Sequence, residues 1–119
     1  MINSKNLALK VAAAAADKKA MDILLLKMGE LSSVTDYFMI CSARNTPQVQ
    51  AIADNIEDKL AKEGIFPMHK EGFAEAKWIL LDYGDCVAHI FLEGERDFYN
   101  LEQLWADAPS ETYTETEAE

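Results

Sequence analysis

No apolar run in this sequence comes near the ~18 residues needed to cross a bilayer. The N-terminus lacks the basic start, apolar stretch and cleavage site of a secretory signal, and Ala12 to Ala16 is too short and too weakly apolar to replace them. A cytoplasmic protein without membrane contact is therefore expected. Cysteine is scarce. Cys41 and Cys86 both fall in apolar, strand-like runs and read as small buried hydrophobes. A zinc site takes about four ligands, and reaching that number would consume both cysteines with His69 and His89, from scattered positions. No metal or other cofactor is expected. Basic residues nearly vanish from the last quarter: residues 93–119 hold nine acidic side chains and only Arg96, whereas residues 1–92 hold 12 acidic and 10 basic ones. Charge of that sign repels phosphates and draws basic partners inward. Direct nucleic-acid binding is disfavoured, and a basic protein partner is favoured.

What is present is enough for one domain. Of 119 residues, 50% are hydrophobic, and a chain of that size buries roughly two thirds of its unfolded surface. Leu7, Val11 and the alanines that follow predict a helix over Asn3 to Asp17. Asp22 to Lys27 is either a buried strand or a helix extension, and Asp36 to Ala43 is a clearer strand. The strongest helix follows, with Thr46 as N-cap, Pro47 in its first turn and Gly64 at its C-terminal cap. Its Val49, Ile52, Ala53, Ile56 and Leu60 make one buried stripe. Ile65 to Lys70 predicts a short edge strand, since Pro67 lacks a ladder donor. Lys77 to Asp82 and Cys86 to Leu92 form a hairpin about Tyr83-Gly84-Asp85. Glu95 to Ala106 predicts a terminal helix ended by Pro109. The expected fold class is α/β (α+β), a mixed sheet of about five strands with packed helices. Residues 1–108 form the domain, and 109–119 an acidic disordered tail.

Candidate chemistry is thin. Asp36, Asp82 and Asp85 are the carboxylates at strand ends that could converge as metal-binding acids of a nucleotidyl transferase. That chemistry wants two carboxylates one residue apart on a strand. Asp82 and Asp85 are three apart across a turn and suit side-chain to backbone bonds instead. Ser42-Ala43-Arg44-Asn45 enters a helix where an anion could sit, yet it has no glycine to admit a phosphate. His89 stands mid-strand, opposite in face to Ala88 and Ile90, with no nucleophile motif beside it. In the terminal helix Phe98, Leu101 and Trp105 share a stripe that should bury, leaving Tyr99, Glu102 and Gln103 on the flank. Trp78, at a strand start, could be core or surface. Trp, Tyr and Arg dominate interface energetics, so Trp78, Arg96 and Tyr99 among acidic neighbours suit a contact surface.

An ordered set of segments carries a resemblance: Lys18-Lys19-Ala-Met-Asp-Ile23, Thr35-Asp-Tyr-Phe-Met-Ile-Cys41, Gln48 to Asp54, Gly64-Ile-Phe-Pro67, Glu71-Gly72, Trp78 to Asp85, Val87-Ala-His-Ile-Phe91 and Arg96 to Trp105. The chain resembles the ribosomal silencing factor family, also called Iojap-related or RsfS proteins, over about residues 5–107. The resemblance implies a domain similar in fold to nucleotidyl transferases without their catalytic apparatus, and no enzymatic activity. It implies binding to large-subunit ribosomal protein number fourteen, which keeps the small subunit from joining and represses translation. The docking face it implies centres on Trp78, His89, Arg96, Tyr99, Leu101 and Glu102, with Leu101 left between core and contact. A homodimer is a further possible state, because an exposed apolar face can pair with itself. The rival reading is a nucleotide-binding enzyme using Asp36, Asp82 and Asp85.

Overall fold

A computed structural model describes residues 2–31 and 35–114. Its elements are α1 (Ser4–Asp17), β1 (Met21–Lys27), a 3-10 turn at Gly29–Leu31, β2 (Tyr37–Ala43), α2 (Thr46–Ala61), β3 (His69–Glu71), β4 (Trp78–Asp82), β5 (Cys86–Leu92), α3 (Glu95–Tyr99), α4 (Leu101–Leu104) and β6 (Ser110–Thr112). The strands form one open sheet in the order β3-β4-β5-β2-β1-β6. β2 and β5 run parallel and the other neighbours antiparallel, which makes the fold α+β with a mixed six-stranded sheet.

Alternation along the strands divides the apolar residues between two faces. Ile23, Leu25, Met39, Cys41, Ala43, Ile79, Leu81, Cys86, Ala88 and Ile90 pack under α1 and α2, against Leu7, Val11, Val49, Ile52, Ile56 and Leu60. Leu26, Ile40 and Phe91 point the other way and form a second, smaller core with Met28 and Ala108, flanked by Leu24, Phe38, Trp78, Leu101 and Trp105. This second face is only partly roofed, and the site lies there. Both cysteines are fully buried, and burial pushes each thiol up to about 12, so neither supplies a thiolate nucleophile.

Several sequence expectations shift. Asp22 to Lys27 is a strand, and α2 is capped one residue early, by the Asn45 side chain accepting from the Gln48 N–H at 2.8 Å. The strand expected over Ile65 to Lys70 begins only at His69, because Pro67 and the exposed Phe66 and Met68 precede the ladder. The terminal helix is not continuous. Asn100 takes a left-handed conformation (φ 50°, ψ 55°) that divides it into α3 and α4, a conformation Asn tolerates better than most residues. The stripe of Phe98, Leu101 and Trp105 is thereby broken. Leu101 and Trp105 reach the second core, whereas Phe98 is turned out and left 79% exposed. The sheet gains a sixth strand where a disordered tail was expected: Ser110, Glu111 and Thr112 pair with Leu26, Leu25 and Leu24. Residues 115–119 of that tail lie outside the described residues.

Candidate functional site

Cross-strand register assembles the site. Trp78 on β4 lies opposite Phe91 on β5, and Leu80 opposite His89. His89 in turn lies beside Ile40 of β2. The second face therefore carries a row of rings. Trp78 stacks on Phe91 with centroids 5.0 Å apart, and Tyr99 leans onto Trp78 at 4.6 Å. Phe38 meets His89 edge-on at 4.5 Å and Trp105 at 6.2 Å. Such pairs add roughly 0.5–1.5 kcal/mol each beyond area burial.

His89 is the polar member of the row and is only 4% exposed. Trp78 Nε1 donates to His89 Nδ1 at 3.1 Å. A ring nitrogen that accepts carries no proton, so the neutral ring holds its proton on Nε2. That atom is buried and has no hydrogen-bond partner among the described residues. Burial lowers the His89 pKa from 6.5 to about 4, because the low-dielectric face disfavours the cation. A neutral histidine packed between rings, with its accepting nitrogen engaged, is a support for Trp78. A general base would need an open Nδ1 or Nε2.

The remaining predicted residues fall into two environments. Tyr99 is 45% exposed and flanked by Phe98, whose ring it meets edge-on at 5.1 Å. Trp78 is half-buried, and together with Tyr99, Gly72, Ala74, Glu75, Lys77 and Glu95 it lines a cleft of about 410 Å³. Gly72 is required there: at φ +91° it lets the Trp78 carbonyl approach where a Cβ would lie 2.0 Å from that oxygen. Arg96 turns inward instead. Its Nε and Nη2 donate to Glu102 Oε2 at 3.1 and 2.9 Å, and its Nη1 to the Asp22 carbonyl at 2.7 Å and Ser42 Oγ at 3.0 Å. Leu101 is half-buried against the second core. Two exposed apolar side chains of this region escaped sequence reasoning, Phe98 and the 70%-exposed Leu104. The signal that could have found them is Asn100, a residue that favours the left-handed break in the middle of a helical pattern.

Two carboxylates of the rival constellation, Asp36 and Asp82, hold structural bonds, and Asp85 contributes through its backbone carbonyl. Asp82 Oδ1 accepts from the Gly84 N–H at 2.8 Å and shapes the hairpin turn, as its spacing suggested. Asp36 accepts from Ser4 Oγ at 2.5 Å, and the Asp85 carbonyl accepts from the Asp36 and Tyr37 N–H groups. At the α2 entrance the Arg44 N–H donates to Gln48 Oε1, while the Gln48 and Val49 N–H groups donate to Asn45. Three of the donors a phosphate would seek there, the Arg44, Gln48 and Val49 N–H groups, are already engaged. Among the described residues, no group of three or more His, Cys, Asp or Glu is placed to hold a metal ion.

Comparison with known proteins accounts for this arrangement. A family model described as "Ribosomal silencing factor during starvation" matches residues 1–119. A ribosomal silencing factor RsfS of Bacillus subtilis (strain 168) is 52% identical over 109 residues, covering 91% of this chain and 92% of that protein. The chloroplastic protein Iojap of Zea mays is 38% identical over 102 residues, covering 85% of this chain and 44% of that longer protein. Among solved structures, one of a Bacillus halodurans protein superposes with a TM-score of 0.81 at 38% identity, covering 90% of this chain and 97% of that one. One of a Chromobacterium violaceum protein gives a TM-score of 0.86 at 26% identity, covering 98% of each. Whole-length agreement in sequence and fold has one reading: the chain belongs to the ribosomal silencing factor family.

Proposed function

We propose that this protein represses translation as a steric plug, without covalent chemistry. It docks through the Trp78–Tyr99 face onto large-subunit ribosomal protein number fourteen and keeps the small subunit from joining. The observation that carries the reading is the exposed set of Phe98, Tyr99 and Leu104 beside half-buried Trp78. Trp78, Tyr99 and Phe98 form a continuous run of rings, an exposed apolar patch of the kind that marks a protein interface, and aromatic residues are the anchors such interfaces use. Its surroundings select the partner's charge. Glu75 and Glu95 line the cleft beside Trp78 and Tyr99 against a single cation, Lys77, Asp97 adjoins Phe98 in sequence, and Arg96 is neutralised by its pair with Glu102. A basic surface is complementary, and ribosomal proteins that bind RNA carry such surfaces. Two copies pairing through the same patch would hide it, so a homodimer of that kind and docking would exclude each other.

Binding is tested by sedimenting the protein with purified large subunits. Steered association slows with salt. The on-rate on immobilised large subunits should fall about tenfold between low and high salt, within the range by which steering raises association above neutral pairs. A salt-independent on-rate would remove the charge argument. The enzyme reading makes a separate statement. Mg²⁺ with a nucleoside triphosphate at 100 times its Kd would add about 2.7 kcal/mol of stability. The expected result is an unchanged Tm at saturating nucleotide, and a clear rise would restore Asp36, Asp82 and Asp85 as ligands.

A further inference from the structure

We propose that Arg96 is a positioning residue, which braces the break between α3 and α4 and so sets where Phe98, Tyr99 and Leu104 stand, without itself meeting the partner. The proposal rests on the docking reading above and reassigns one of its expected contacts.

Neither helix can hold itself. α3 has 5 residues and α4 has 4, and isolated helices shorter than ~12–15 residues are marginal in water. Neither has a side-chain N-cap: Gly94 stands at the start of α3 and the left-handed Asn100 at the start of α4. Something outside the two helices must fix their angle. The Arg96 side chain is 11% exposed and reaches four elements at once: it starts on α3, grips Glu102 on α4, and ends on the Asp22 carbonyl of β1 and the buried Ser42 hydroxyl of β2. Nε, Nη1 and Nη2 are all engaged, which leaves little of the fork to offer a partner.

β1 is shaped to receive it. The register of β1 against β2 shifts between Met21 and Leu24, and Asp22 within that shift has φ +50°, outside the extended region of a ladder residue. The irregularity frees the Asp22 carbonyl from strand pairing and leaves it as the 2.7 Å acceptor for Arg96 Nη1. Bulges of this kind re-aim a group next to functional sites. Only a planar fork can meet Glu102 on one edge and the two oxygens of β1 and β2 on another. A lysine ammonium is a point charge on a flexible stem and cannot span both.

The test combines binding with a signature of the Trp78–Tyr99 contact. Arg96→Lys, Arg96→Met, Glu102→Gln and Tyr99→Ala are compared by near-UV circular dichroism, far-UV circular dichroism and sedimentation with large subunits. The expected result is that Arg96→Lys and Arg96→Met lose the Trp–Tyr near-UV band as Tyr99→Ala does, keep the far-UV spectrum, and bind at least tenfold more weakly. Glu102→Gln should move the same way by less. If Arg96→Met fails to fold, Arg96→Lys and Glu102→Gln carry the comparison. Loss of binding with a wild-type near-UV band would overturn the proposal, since that is how a direct contact behaves. Retention of both by Arg96→Lys would overturn it as well. If the wild type does not sediment with large subunits, the docking reading fails, and the near-UV band alone decides whether Arg96 braces the break.

Discussion

Tyr99→Ala should weaken binding to large ribosomal subunits about thirtyfold or more, the equivalent of ~2 kcal/mol for an aromatic anchor at the centre of an interface. The loss belongs to docking and not to folding. Tyr99 is 45% exposed and only leans on its ring partners, the exposed Phe98, half-buried Trp78 and buried Phe91. Trp78→Ala should weaken docking too, but it also strips a stacked ring from Phe91 and the hydrogen bond from His89 Nδ1, so its stability should fall as well. Phe98→Ala separates the two effects. At 79% exposed it supports little of the fold, and surface substitutions away from special features stay within about ±0.5 kcal/mol. Its Tm should be unchanged while its affinity falls about tenfold. Equilibrium binding on immobilised large subunits, read alongside thermal melts, checks the three variants together. Wild-type affinity in Phe98→Ala and Tyr99→Ala would mean that this patch is not the docking surface.

The second large effect is on acid stability and comes from His89. Its folded-state pKa of about 4 lies below the ordinary 6.5 because the ring is buried. The unfolded chain therefore takes up a proton below pH 6.5 that the folded chain refuses. Stability is unaffected by this group above pH 6.5 and is lost as pH falls from 6.5 toward 4. At 1.36 kcal/mol per pKa unit the loss amounts to about 3 kcal/mol. His89→Gln keeps an oxygen able to accept from Trp78 Nε1 and removes the titration. The difference in unfolding free energy between wild type and His89→Gln, measured by urea denaturation, should shift by about 3 kcal/mol in favour of the variant between pH 7 and pH 4. Carboxylates titrate in both proteins and cancel in that difference. A difference that stays flat with pH would place His89 in a solvated setting, contrary to its buried position behind Trp78.

Much of this molecule was legible because its apolar residues repeat with clear periods. The stripe from Val49 to Leu60 and the hairpin about Tyr83-Gly84-Asp85 are local patterns, and the structure keeps both. Cys41 and Cys86 were placed in the core by the apolar runs around them, and both are buried. Three things were illegible for a shared reason, that long-range partners decide them. The break at Asn100 requires the sheet's second face to pull Leu101 and Trp105 one way while the Arg96 fork holds α3 another. The strand at Ser110–Thr112 is short and polar, and it forms because β1 offers it an unpaired edge. The inward turn of Arg96 depends on the Asp22 carbonyl, 74 residues away in sequence. Spacing within a helix cannot report any of these, which is why Phe98 was expected inside and stands outside.

The central claim is that occupying the large subunit prevents joining, and light scattering tests it most directly. Purified large subunits are preincubated with this protein, small subunits are added, and the rise in scattering from joined ribosomes is followed. The account predicts that wild type at about ten times its Kd suppresses the rise, while Tyr99→Ala at the same concentration, about thirtyfold weaker, leaves about three quarters of it. A full rise with wild type shown by sedimentation to be bound would contradict it.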